Sequence, residues 1–140
     1  MSMKSGLVDF KPPTKLQLAA LWTSVMFLYV YGDYFDLYQP GKLAAVARGE
    51  FGIGLPTDIA SIFAAAMMTI PSLMIWLSLA LPPVLSKWLN ALFGVLYSLI
   101  LAATMRGAAP FYLLLGVVEI ALTLTIAVIA LRWPKHAQEV

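Results

Sequence analysis

One carboxylic acid, Glu119, stands in an otherwise apolar run from Phe111 to Leu131. A carboxylate in the middle of a bilayer costs on the order of a few kcal/mol, so such a residue faces a protein interior and not lipid. Steps of three and four from Glu119 reach Tyr112, Gly116, Thr123, Ala127 and Ala130, a small and polar stripe; Leu113, Leu114, Val117, Val118, Leu124 and Val128 lie mostly off it. Small residues let helices approach closely, so the stripe is expected to face inward. The run from Lys87 to Met105 carries a matching stripe of Asn90, Gly94, Tyr97, Leu101 and Thr104. Tyr97 lies eight residues before Met105 and Glu119 eight residues after Phe111, so both sit roughly 12 Å below one end of their helices. A Tyr97–Glu119 hydrogen bond between antiparallel neighbours is therefore expected. Thr23 and Ser24 of the first run, and Met68 and Thr69 of the second, reach the same depth, completing one polar layer. Glu119, Tyr97, Asn90, Thr123 and Ser24 make up the candidate substrate or proton site. No basic residue shares that level, and low dielectric disfavours a charged carboxyl. Glu119 is thus expected to hold a proton near neutral pH or exchange it, either as a proton or cation site or as hydrogen-bonding glue between helices.

A second constellation, Tyr29, Tyr31, Asp33, Tyr34, Asp36 and Tyr38, closes the first run. Asp33 and Asp36 are three apart and share a face in a continued helix. With Tyr34 and Arg106 they form a candidate outer vestibule that holds a cation or a cationic ligand; the alternative is an aromatic belt with an Asp–Arg106 clamp. Pro71 interrupts the second run and frees the carbonyl of Met67, which predicts a kink there. Trp22, Trp76, Trp88 and Trp133 read as interfacial anchors or packing groups, and the methionines Met67, Met68 and Met74 as lipid or core contacts. No P-loop, nucleotide-binding glycine fingerprint, nucleophile elbow or metalloprotease helix occurs. With no cysteine and one histidine, His136, the chain offers no thiolate chemistry and no multi-histidine metal or haem site. No cofactor, metal, catalytic residue or nucleic-acid partner is indicated.

The elements that position these groups follow from composition. Of 140 residues 61% are hydrophobic and only 11% charged, with mean hydropathy +0.87, against about 45–50% and about 25% in soluble domains. Such a short chain would expose too much apolar surface in water, and disordered chains are polar and charge-rich, which leaves an integral membrane protein. About 20 apolar residues cross a bilayer, and four spans are expected at 16–38, 59–81, 87–105 and 111–131. Strand alternation is absent, which argues against a β-barrel. The first span lacks a small-residue cleavage site and is read as retained. Pro56-Thr57-Asp58 and Ser86 are the expected caps of the second and third spans. Pro82-Pro83 and Arg106–Pro110 make short turns, so each joins an antiparallel pair. The long connection from Gln39 to Asp58 contains a short amphipathic segment, Lys42–Arg48, suited to a headgroup layer. The fold class is thus all-α: one transmembrane domain, an antiparallel bundle of four helices, with residues 1–11 and 135–140 as mobile tails. Lys4, Lys11, Lys15, Lys87, Arg132 and Lys135 fall on one side, and Lys42, Arg48 and Arg106 on the other. The bias places both termini in the cytoplasm, with the chain in a bacterial inner membrane.

The blocks 18–23 (LAALWT), 31–41 (YGDYFDLYQPG) and 70–79 (IPSLMIWLSL), with Arg132-Trp133-Pro134 closing the last helix, resemble a family of small bacterial four-helix membrane proteins of unknown function. The resemblance runs from about Lys15 to Lys135 and implies a fold and a membrane location, with no activity to inherit. In architecture alone the chain is also similar to small multidrug-resistance exporters, whose key carboxylate lies in the first helix and not the fourth. The expected function is proton- or cation-linked transport or small-ligand binding through Glu119. Size argues for a homo-oligomer, since four helices enclose little more than their own side chains. The alternative is a non-catalytic membrane module supporting a larger complex; an intramembrane enzyme using Glu119 or Asp33 as base ranks last.

Overall fold

The structure, a computed structural model, describes residues 10–50 and 57–134. Its described residues form five helices: α1 Thr14–Asp36, α2 Lys42–Ala47, α3 Thr57–Ala80, α4 Pro83–Thr104 and α5 Pro110–Leu131. Three of them, α3, α4 and α5, are long and apolar enough to cross a membrane. Helix α1, the first of the four expected spans, is not among them. That helix is long enough, at 23 residues, but Gln17, Trp22, Thr23, Ser24 and three tyrosines dilute its apolar character.

Local chemistry sets the helix ends. Proline has no amide hydrogen to lose in the first turn, and its fixed φ suits a helix start; Pro83 and Pro110 occupy that position in α4 and α5. Helix α4 therefore starts at Pro83 and not at Lys87. Ser86 is no cap: its amide donates to the Pro82 carbonyl at 2.9 Å, inside the helix. The short segment after α1 is helical over Lys42–Ala47, entered through Gly41 at φ +78°, a left-handed conformation that a side chain disfavours. Of the expected caps, Pro56 lies outside the described residues, as do most of both tails.

The four long helices alternate in direction. On α1 and α3, Lys15 meets Leu79 and Leu81 while Met26 meets Ser72. On α1 and α5, Phe35 meets Phe111 and Gly32 faces Leu115. On α4 and α5, Gly94 approaches Ala127 while Met105 approaches Gly116. Contact is most extensive between α4 and α5, then between α1 and its neighbours α3 and α5; the turn-linked pair α3 and α4 touches much less than these. The core lies along the centre, from Leu18 and Ala130 through Trp22, Met74, Ala91 and Ile126 to Tyr97, Tyr29 and Leu101. Trp22 and Tyr97 meet edge to face there, with ring centroids 6.0 Å apart.

The two ends of this arrangement differ. One, the terminal end, carries the start of α1, the α3–α4 turn and the end of α5. Lys15 there donates to the carbonyls of Leu79 (3.0 Å) and Leu81 (2.6 Å), groups that α3 leaves unpaired at its C-terminus. The other, the α2 end, carries Asp33, Asp36, α2 and the α4–α5 turn.

Candidate functional site

The inward stripe of α5 is as the spacing predicts: Gly116, Glu119, Thr123, Ala127 and Ala130 are all buried. So is the stripe of α4 through Asn90, Gly94, Tyr97 and Leu101. Glycine is required at position 94, because a Cβ there would lie 2.7 Å from the Thr123 carbonyl oxygen and 3.0 Å from the Ala127 nitrogen. That close approach lets the Ser98 and Thr123 hydroxyls meet across the seam at 2.7 Å.

Glu119 is only 5% exposed and lines a cleft of about 190 Å³. All four long helices wall it: α1 with Tyr29, Gly32 and Asp33, α3 with Met67 and Met68, α4 with Tyr97, Ile100, Leu101 and Thr104, and α5 with Tyr112 and Glu119. Toward the α2 end the cleft shares Asp33, Thr104 and Tyr112 with a more open depression of about 410 Å³, which adds Asp36, Lys42, Ala108 and Ala109. No described residue donates a hydrogen bond to the Glu119 side chain; Thr123 bonds its backbone carbonyl instead, at 2.9 Å. Yet among the described residues no side-chain polar atom is both fully buried and unpartnered. The carboxyl therefore keeps its remaining surface toward the cleft, which Asp33 also lines.

The Tyr97–Glu119 hydrogen bond does not form. Both residues line the cleft, but the Tyr97 hydroxyl donates to the Met67 carbonyl at 2.6 Å. This is the carbonyl that Pro71 deprives of its helical partner, and a freed backbone group in an apolar interior demands a replacement. Asn90 is also elsewhere. Its Oδ1 accepts from Trp22 Nε1 at 2.7 Å and from the Ser78 hydroxyl at 3.0 Å, and its Nδ2 donates to the Ser86 carbonyl at 2.8 Å. This buried knot joins α1, α3 and α4 on the terminal side of Tyr97. Thr123 belongs to the α4–α5 seam. Ser24 is exposed on the outside of α1, bonded to its own helix at Ala20, and Thr69 is exposed on α3.

Of the expected vestibule, Asp33 and Asp36 line the depression and Arg106 and Tyr34 do not. The clamp partner is Lys42: its Nζ lies 2.7 Å from Asp36, brought there by the α2 helix, while Arg106 is exposed. Tyr34 bonds the Tyr38 hydroxyl at 2.6 Å on the exposed surface. Gly32 and Met67 were not among the expected site residues, and Tyr29, expected in the outer constellation, lines the cleft beside Glu119. The signal for α1 lies in its spacing, since Trp22, Val25, Tyr29 and Gly32 recur at helical intervals and all are buried. Among the described residues no three histidine, cysteine or acidic side chains gather as a metal site. The cleft instead offers two carboxyl groups and three tyrosine rings, a set suited to one positive charge.

The chain belongs to the family of unknown function DUF6326, whose pattern matches residues 6–139. Comparison with curated proteins and with solved structures finds no match.

Proposed function

We propose that this member of DUF6326 is a four-span membrane protein that binds a small cation beside Glu119, as the ligand-binding step of proton- or cation-linked transport. The observation that carries the reading is the cleft itself, in which Glu119, Asp33, Tyr29, Tyr97 and Tyr112 meet between all four long helices. At about 190 Å³ it falls below the roughly 300–1,000 Å³ of drug-sized sites, so its occupant is small: a proton, an inorganic monovalent cation or a compact alkylammonium. Tyrosine faces attract such cations, and a proton on Glu119 would compete with them.

The fourth span is α1. It runs beside α3 and α5 from Lys15 at one end to Phe35 at the other, so it crosses whatever those helices cross. Its 23 residues reach about 34 Å, enough for hydrocarbon about 30 Å thick. Exposed aromatic residues sit at both ends, Tyr31, Tyr34, Phe35 and Tyr38 at one and Trp88 at the other, as interfacial belts do. The excess of lysine and arginine on the terminal side supports an orientation with that end in the cytoplasm of a bacterial inner membrane and the cleft open outward. A cleft this small makes a homo-oligomer the form expected of a conduit. The reading is of a binding and transport protein and not an enzyme.

Titration calorimetry with tetramethylammonium, on the full chain in lipid nanodiscs, tests it. Wild type binds, and Glu119→Gln and Asp33→Asn each weaken binding at least tenfold with the fold intact. Equal affinity of wild type and Glu119→Gln, or no binding by wild type, refutes the assignment for this ligand class.

A further inference from the structure

Helix α3, which walls the cleft with Met67 and Met68, differs on the two sides of Pro71. On the terminal side of Pro71 the helix is anchored: Pro71, Met74 and Ser78 are buried at helical spacing, Ser78 bonds Asn90 of α4, and Lys15 of α1 holds the last carbonyls. On the other side, from Asp58 to Ala66, only Ala60 is buried, while Ile59, Ile62 and Phe63 are largely exposed. The boundary between these halves is the place where the helical ladder is broken, because Pro71 supplies no amide hydrogen to Met67. On the far side of Pro71 a side-chain hydrogen bond ties α3 to α4, from Tyr97 Oη to the Met67 carbonyl. Met67 and Tyr97 both line the cleft.

We infer that residues 57–67 of α3 swing as a gate that carries Met67 away from the wall of the Glu119 cleft, hinged at Pro71 and latched by the Tyr97 hydroxyl. The proline makes the bend cheap, since the bond that would stiffen the helix there is already missing. The tyrosine gives back that bond from a neighbouring helix, so the closed position is favoured while the latch holds. Ten residues beyond the hinge give a lever of about 15 Å, and a change in kink of about 20° moves its end by about 5 Å. That displacement widens the space between α3 and α4, which touch far less than α4 and α5 do. The inference rests on the proposed ligand site for its purpose, but its test needs no ligand, so the two fail separately.

Spin labels on full-length protein in nanodiscs report the motion through pulsed electron-resonance distances. One pair, Ile62 and Ala103, spans α3 and α4 beyond Pro71; the other, Leu79 and Leu85, spans them at the terminal end. Tyr97→Phe is expected to lengthen and broaden the Ile62–Ala103 distance by about 5 Å while Leu79–Leu85 stays unchanged. Adding Pro71→Ala restores an amide donor for the Met67 carbonyl and is expected to return the Ile62–Ala103 distribution to its narrow form. An Ile62–Ala103 distance unaffected by Tyr97→Phe overturns the latch, as does equal broadening of both pairs. Failure of Pro71→Ala to reverse the change overturns the hinge.

Discussion

Substituting Gly94 by alanine adds one methyl group at the tightest point between α4 and α5. The new Cβ would stand 2.7 Å from the Thr123 carbonyl oxygen, 3.0 Å from the Ala127 nitrogen and 3.1 Å from the Ala127 Cβ. Two of these neighbours are backbone, so no side-chain rotation relieves the contact. Ordinary contact begins near 3.4 Å, so the helices must separate by about 0.7 Å along the line to Thr123. That separation strains the 2.7 Å bond between Ser98 and Thr123 one turn away. Overpacking of this kind costs about 1–3 kcal/mol, which lowers Tm by roughly 3–12 °C for a chain of this length. The control is Gly32→Ala in α1, where the nearest atom to the added Cβ is the flexible end of Leu115 at an ordinary 3.6 Å. Alanine there gains about 0.5–1 kcal/mol over glycine within a helix. Thermal unfolding of both variants in one detergent, followed by far-ultraviolet circular dichroism, separates the cases. Should Gly94→Ala match or exceed wild type in Tm, the close α4–α5 seam and the inward face assigned to Glu119 would both be wrong.

Other substitutions address the remaining polar contacts. Asn90→Ala leaves the Trp22 indole N–H without its acceptor in a sealed core, at about 1–3 kcal/mol, read as a lower unfolding midpoint and an altered tryptophan fluorescence maximum. Lys15→Met removes a cation from the C-terminus of α3; a loss of about 0.3–2 kcal/mol is expected, visible as faster amide exchange at residues 79–81 with α4 unaffected. Lys42→Gln removes the cation resting on Asp36 at the mouth of the cleft. An exposed pair of this kind is worth about 0.2–1 kcal/mol, so tetramethylammonium affinity should rise by up to roughly fivefold, and a fall in affinity would show that Lys42 serves the ligand.

How much of this was legible in the sequence depended on which coordinate of a helix was being read. The angular coordinate was legible: on α4 and α5 small and polar residues alternate with large apolar ones at helical spacing, and the buried stripes are those residues. The axial coordinate was legible only where both helix ends were marked. Pro110 marks the start of α5, so a count from that end locates Glu119 along the helix. In α1 the apolar run stops near Tyr31 while the helix continues to Asp36. Counting eight residues from Tyr31 leads to Thr23 and Ser24; counting from Asp36 leads to Leu28, beside Tyr29, which lines the cleft. Asn90 shares a face with Tyr97 but lies about 10 Å away along the axis, which places it in another network. The partner of Tyr97 was illegible for a different reason. Pro71 and Tyr97 each carried a visible signal, but their meeting depends on how α3 and α4 register against each other, and no single-helix pattern encodes that.

The interior polar groups divide into two kinds, and the division supports the role proposed for Glu119. Asn90, Ser78, Ser86, Ser98, Thr123 and Tyr97 all give or receive hydrogen bonds within the protein, and several join one helix to another. These are what polar residues that hold membrane helices together look like. If Glu119 were another such group, its carboxyl would have a donor on a neighbouring helix, and Tyr97 lines the same cleft. Tyr97 instead serves the Met67 carbonyl. The most expensive side chain to place among these helices is thus the one without a hydrogen-bond donor among the described residues, turned toward a cleft it shares with a second acid. A carboxyl group kept in that position contributes little to holding the helices together, and this is what supports the cation site proposed beside it.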